Sequence, residues 1–184
     1  LLPEFGAVVG MMQFNRYHHY TVDEHTLRAV GILHRIANDQ GDDGMGRATM
    51  VFGDIVQTKA LFVAMLLHDL MKGRDEPHEI LGAEMAKTMC PRMGLTESET
   101  SYVSWLIQEH LTMSAVAFQR DIDDPSVIKD FAARAGSLER LRGLFVLTVA
   151  DIRAVGPDVW NGWKSSLLGQ LFLGASDVLT LGTD

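Results

Sequence analysis

Four residues of this 184-residue chain have side chains suited to holding a metal ion: His25, His68, Asp69 and Asp151. His68 and Asp69 are adjacent and follow Leu61-Phe-Val-Ala-Met-Leu-Leu, a run that is apolar on every face of a helix. A helix of that kind is surrounded by protein, where an ionised carboxylate is costly unless it is paired or metal-bound. Asp151 raises the same problem in a second nearly all-apolar run, Leu144-Phe-Val-Leu-Thr-Val-Ala-Asp-Ile. His25 lies near the boundary of the apolar face of a third candidate helix and so points toward the core. Imidazole and carboxylate together suit divalent transition metals, and one cation at their focus would offset the desolvation of both acids. The simpler account of Asp69 is an ion pair with Lys72, three residues along. For Asp151 it is a hydrogen-bonded core acid near a helix end. On the residues alone, both accounts stay open.

The elements that must position these side chains all read as helices. Pro3 suits the first turn of a short helix over 2–14, and Thr21 with Glu24 forms a candidate capping box opening a helix over 22–38. The glycine- and aspartate-rich stretch 39–46 reads as a loop, and the core helix is expected over 55–71. Pro77 starts a helix that Gly94 closes, and Thr96 with Glu99 caps another running through Trp105 and His110 to about residue 113. Asp124-Pro125 starts a helix over 125–135, Gly156-Pro157 stops the one carrying Asp151, and a last helix spans 161–173. No segment alternates with period two. The expected fold is therefore an all-α bundle of about seven helices, one domain over 1–184.

Composition narrows the function classes. A formal charge of −8, with no cluster of lysines and arginines, argues against nucleic acid as a partner. Cys90 is the single cysteine, so no intrachain disulfide can form and a reducing compartment is expected. The apolar runs are too short to cross a bilayer and the N-terminus lacks signal-peptide order, so a cytoplasmic location away from membranes is expected. The chain begins without methionine and ends on Gly182-Thr183-Asp184, which reads as a piece cut from a longer multidomain protein. It contains no Walker loop, no Gly-x-Ser-x-Gly elbow and no Cys-x-x-Cys pair.

The order His25, His68-Asp69, Asp151, each on a candidate helix, resembles the HD superfamily of metal-dependent phosphohydrolases, named for the adjacent His-Asp. Four stretches sharpen the likeness: Tyr20-Thr-Val-Asp-Glu-His25-Thr-Leu, His68-Asp69-Leu-Met-Lys72-Gly-Arg74, Trp105-Leu-Ile-Gln-Glu-His110-Leu-Thr-Met-Ser and Leu147-Thr-Val-Ala-Asp151-Ile-Arg153-Ala-Val. Their wording is similar to the uridylyl-removing family within that superfamily, which acts on the uridylylated PII nitrogen-signalling protein. The likeness covers roughly residues 3–172.

The resemblance implies His25, His68, Asp69 and Asp151 as metal ligands, and His78 and His110 as ligands of a second ion bridged by Asp69. It points to manganese, while the donor set also accommodates iron, cobalt, nickel, zinc or magnesium. It gives Asp69 and Lys72 catalytic roles, with Lys72 on the substrate phosphate. Arg74, His18 and Arg153 are further candidates for substrate contact, and His19 for the mouth of the site. Glu109 stands where the family often carries a histidine, and Asp75-Glu-Pro-His78-Glu departs from its commoner wording. The Gly-Ser motif and paired aspartates of a nucleotidyltransferase are missing, so the chain is expected to remove UMP rather than add it. Two other readings compete: a phosphohydrolase of the same superfamily acting on a free nucleotide or other small phosphoester, and a metal-stabilised binding module without activity.

Overall fold

The computed structural model describes residues 3–12, 19–39 and 45–182, and His18 lies outside them. A four-residue helix α1 (Pro3–Gly6) precedes nine longer ones: α2 (Val22–Ala37), α3 (Gly46–Gly53), α4 (Thr58–Leu67), α5 (His78–Arg92), α6 (Glu97–Glu109), α7 (Thr112–Gln119), α8 (Pro125–Ala135), α9 (Leu138–Ala154) and α10 (Gly162–Leu181). The all-α expectation is met: among the described residues the sole β feature is an isolated bridge between Met12 and Thr21.

The centre is α4. Ala60, Leu61, Ala64, Met65 and Leu67 are all buried, and the helix packs among α2, α5, α6 and α9. Its apolar residues recur on every side, so no rotation about its axis would expose a polar face to solvent. The second apolar run behaves alike, with Leu144 through Ala150 buried within α9. His25, His68, Asp69 and Asp151 come together where these two helices and α2 meet.

Several boundaries differ from the expected ones, each for a local reason. The core helix stops at Leu67 instead of 71, because His68 turns its ring back onto the carbonyl of Met65 and the chain continues in three-residue turns to Gly73, at φ +80°. The helix expected through His110 ends at Glu109, and α7 restarts at Thr112. Residues 46–53 form the unanticipated α3. Ser137 caps α9 by accepting from the Arg140 N–H, so that helix begins earlier than the apolar run does, and α10 continues to Leu181. The Thr96–Glu99 capping box forms in both directions. The Thr21–Glu24 box does not: Thr21 makes no side-chain cap bond and Glu24 is held forward by Arg28 at 2.8 Å.

Close packing of α5 on α6 depends on Gly82. A Cβ there would lie 2.8 Å from Ile107 Cγ2, a branched methyl with little freedom to move aside. Gly82→Ala is therefore expected to destabilise the fold by about 1–3 kcal/mol through overpacking. Urea denaturation measures the change, and a midpoint at or above that of the parent would contradict this account of the helix pair.

Candidate metal centre

Each side chain of the centre is delivered by a helix end or by a residue facing the core. His25 lies in the first turns of α2, and Asp151 in the last turns of α9. His68 and Asp69 follow the last residue of α4, His78 opens α5, and His110 follows the last residue of α6.

His68 and His110 are fixed in the same way: Nδ1 lies 2.8 Å from the Met65 carbonyl oxygen in one and 2.7 Å from that of Ile107 in the other. A carbonyl only accepts, so each Nδ1 carries the proton and donates. Nε2 of both rings is thereby turned inward.

The carboxylate of Asp69 sits between two groups. Its Oδ2 lies 3.3 Å from His68 Nε2, 3.6 Å from His25 Nε2 and 2.7 Å from Lys72 Nζ. Asp151 Oδ1 completes this side, 2.9 Å from His25 Nε2 and 3.5 Å from His68 Nε2. The other oxygen, Oδ1, faces His78 Nε2 at 3.4 Å and His110 Nε2 at 3.8 Å, and these two ring nitrogens are 3.3 Å apart. Two sets of ligand-type atoms result, His25–His68–Asp69 and Asp69–His78–His110, each with its atoms within 4.8 Å of one another.

Those distances are short enough for electrostatic attraction. His68 Nε2 and both Asp69 oxygens are buried without a well-formed hydrogen bond, even though Lys72 is near. Buried polar atoms of that kind are rare and costly. Convergent imidazole nitrogens and carboxylate oxygens are the donor set a divalent transition metal takes, so the residues present fit such an ion.

The arrangement has a floor and a rim. His25, His68, Asp69 and His110 are at most 1% exposed, whereas the side chains of Asp151, Lys72 and His78 are exposed by 17%, 19% and 20%. Solvent, and any substrate, meets the site along that rim.

Arg153 lies two residues beyond Asp151 with its guanidinium 5.5 Å from the Trp160 ring, Arg74 is exposed past the turn, and His19 is exposed with its N–H on the Val155 carbonyl. Glu109 turns away from the centre altogether. It accepts two bonds from Arg134, at 2.6 and 3.2 Å, and one from the Thr112 hydroxyl, so it ties α6 to α8.

The charges are strongly coupled. Burial pulls the His68 imidazole down, but the Asp69 and Asp151 carboxylates outweigh it and raise its pKa to about 10. Burial raises both acids, yet His68, His78 and Lys72 hold Asp69 well below the usual carboxylate range, and His25 and His68 do the same for Asp151. His110 goes the other way: burial and the neighbouring His68 charge lower it to about 4, so it is neutral at pH 7.

The chain matches the HD domain family over residues 22–154, from the first residue of α2 to the last of α9. That span contains all five residues of the two sets and Asp151 as well, and the chain belongs to this family of metal-dependent phosphohydrolases. It is 52% identical over 181 residues to the bifunctional uridylyltransferase/uridylyl-removing enzyme of Novosphingobium aromaticivorans, covering 98% of this chain and 20% of that enzyme. The enzyme of the same name from Erythrobacter litoralis is 52% identical over the same shares, and that of Azospirillum brasilense 51% identical over 98% and 19%. The chain thus spans about a fifth of the length of these curated relatives. Among the described residues no helix is long and apolar enough to cross a membrane.

The shifts set a pH dependence for the metal-free chain. A raised His68 contributes stability that is complete below its ordinary value of 6.5 and is lost as pH climbs toward about 10. A lowered His110 opposes protonation, so stability also falls as pH drops from 6.5 toward about 4. With a chelator present, stability to urea is expected to be greatest near pH 6.5. Adding the metal should remove the alkaline loss, because a ligand nitrogen must be free of its proton. A chelated chain that grew more stable from pH 7 to 9 would contradict the coupling.

Proposed function

We propose that this chain is a metal-dependent phosphodiesterase unit that hydrolyses the bond between UMP and a tyrosine of uridylylated PII, releasing UMP and restoring the tyrosine hydroxyl. The observation that carries the reading is Asp69, whose two oxygens face two separate sets of ligand nitrogens. The substrate is taken from the uridylyl-removing activity in the names of the relatives, which align over nearly the whole chain.

In this reading His25, His68, Asp69 and Asp151 would hold one ion, and His78 and His110, with Asp69, would hold a second. A bound ion, with manganese the proposed physiological metal, would supply Lewis acidity and a more acidic water. The protein's own part is positional. The Met65 and Ile107 carbonyls fix the ring orientation of His68 and His110, and such outer partners raise ligand basicity as well. Asp69 orients the attacking water. Lys72, on the rim and 2.7 Å from Asp69, places its ammonium where a phosphoryl oxygen gains charge. Water adds to phosphorus, the tyrosine oxygen leaves, and it takes up a proton as the phenol is restored.

With manganese present the chain should release UMP from uridylylated PII and hydrolyse bis-p-nitrophenyl phosphate, and Asp69→Ala should abolish both. Activity surviving that substitution would sink the mechanism. Turnover of free nucleotides with none on PII would favour the small-phosphoester reading instead. Lys72→Ala is expected to lower kcat by roughly 10²–10³-fold at unchanged metal content. Elemental analysis beside the kinetics separates that result from simple loss of the ion.

A further inference from the structure

Helices α6 and α7 part at His110 and Leu111, and the backbone of neither residue accounts for the break. Both have right-handed helical dihedrals, φ −58° with ψ −26° and φ −87° with ψ −15°, and no glycine or proline interrupts 97–119. An uninterrupted helix would bond the Ile107 carbonyl to the Leu111 N–H, four residues on. In this chain the His110 imidazole occupies that carbonyl, with Nδ1 at 2.7 Å. The break thus leaves a carbonyl to orient one ring of the metal centre.

The side chain beside the break holds it open. Glu109, the last residue of α6, accepts at 2.7 Å from the hydroxyl of Thr112, the first residue of α7, so one bond spans both intervening residues. The same carboxylate accepts from Arg134 Nε at 2.6 Å and from Nη2 at 3.2 Å. Arg134 sends both groups across to α6 although Asp130 stands one turn back on α8, at the spacing of an ordinary helix pair. The Glu109 side chain is 6% exposed and that of Arg134 59%, so the guanidinium covers a carboxylate already withdrawn from water. A forked, charge-assisted pair of this kind fixes direction as well as distance.

We infer that Glu109 is a positioning residue for the ion set of His78 and His110. With Thr112 and Arg134 it keeps α6 and α7 from running together, and so keeps the Ile107 carbonyl available to His110. The inference rests on the two-ion reading proposed above. His110 meets that set through Nε2, 3.3 Å from His78 Nε2 and 3.8 Å from Asp69 Oδ1. Releasing Nδ1 would let the ring turn and carry Nε2 away from both. The set of His25, His68, Asp69 and Asp151 takes no ligand from α6 and would keep its geometry.

Glu109→Leu keeps similar bulk without an acceptor, and Thr112→Val removes only the hydroxyl. Calorimetric titration of the metal-free parent with manganese is expected to give two dissociation constants. In each variant the constant that His78→Ala also weakens should rise by about 10–100-fold, while the other is unchanged. A folded variant that keeps both constants, or that weakens both equally as general destabilisation would, overturns the inference. If the parent takes up one ion only, the two-ion reading fails, and the ring proton of His110 then decides the positioning role separately. In the metal-free chain, NMR should show that Nδ1 proton exchanging with water roughly tenfold faster in the variants than in the parent. An unchanged rate overturns the role.

Discussion

The carboxylate of Asp69 is the constraint on which the rest of the molecule depends. It is 1% exposed, lies past the end of the most apolar helix and has no well-formed hydrogen bond. An acid in that position destabilises the fold unless positive charge converges on it. Four histidines and a lysine approach within 3.8 Å, drawn from α2, α5, the ends of α4 and α6, and the turn after α4. The packing of the bundle can be understood as the means of bringing those groups to one carboxyl group.

Precision comes from backbone more than from side-chain networks. His68 and His110 each spend one ring nitrogen on a carbonyl three residues earlier, within their own last helical turn. The orientation of both rings is thus inherited from helix geometry. Gly82 does comparable work between helices, since it lets α5 approach α6 closely enough for His78 to meet His110.

Much of this was legible in the sequence, and the reasons differ by residue. Apolar residues on every face of 61–67 announced a core helix, and the acid after them announced a partner problem. The Thr96–Glu99 box and Asp124-Pro125 announced helix starts that formed as expected. The end of α4 was misread because the four residues after it are also mostly helix-compatible, and the hydrogen bond that stops it involves a side chain. Thr21 and Glu24 had the capping pattern, but Arg28 one turn on competed for the acid. The ion pair of Glu109 with Arg134 was hidden by 25 residues of separation.

The meeting of helix ends at the centre has an electrostatic consequence. Three helices, α4, α6 and α9, arrive by their C-termini and two, α2 and α5, by their N-termini. Their terminal partial charges, about half an elementary charge each, leave one C-terminal end in excess. The scaffold is therefore mildly negative toward ions, on the side of Asp69 and Asp151. One divalent cation neutralises those two carboxylates. A second leaves a surplus of positive charge, increased by Lys72, facing the exposed rim. Ion count would thus set how strongly the mouth of the site attracts a phosphodiester anion.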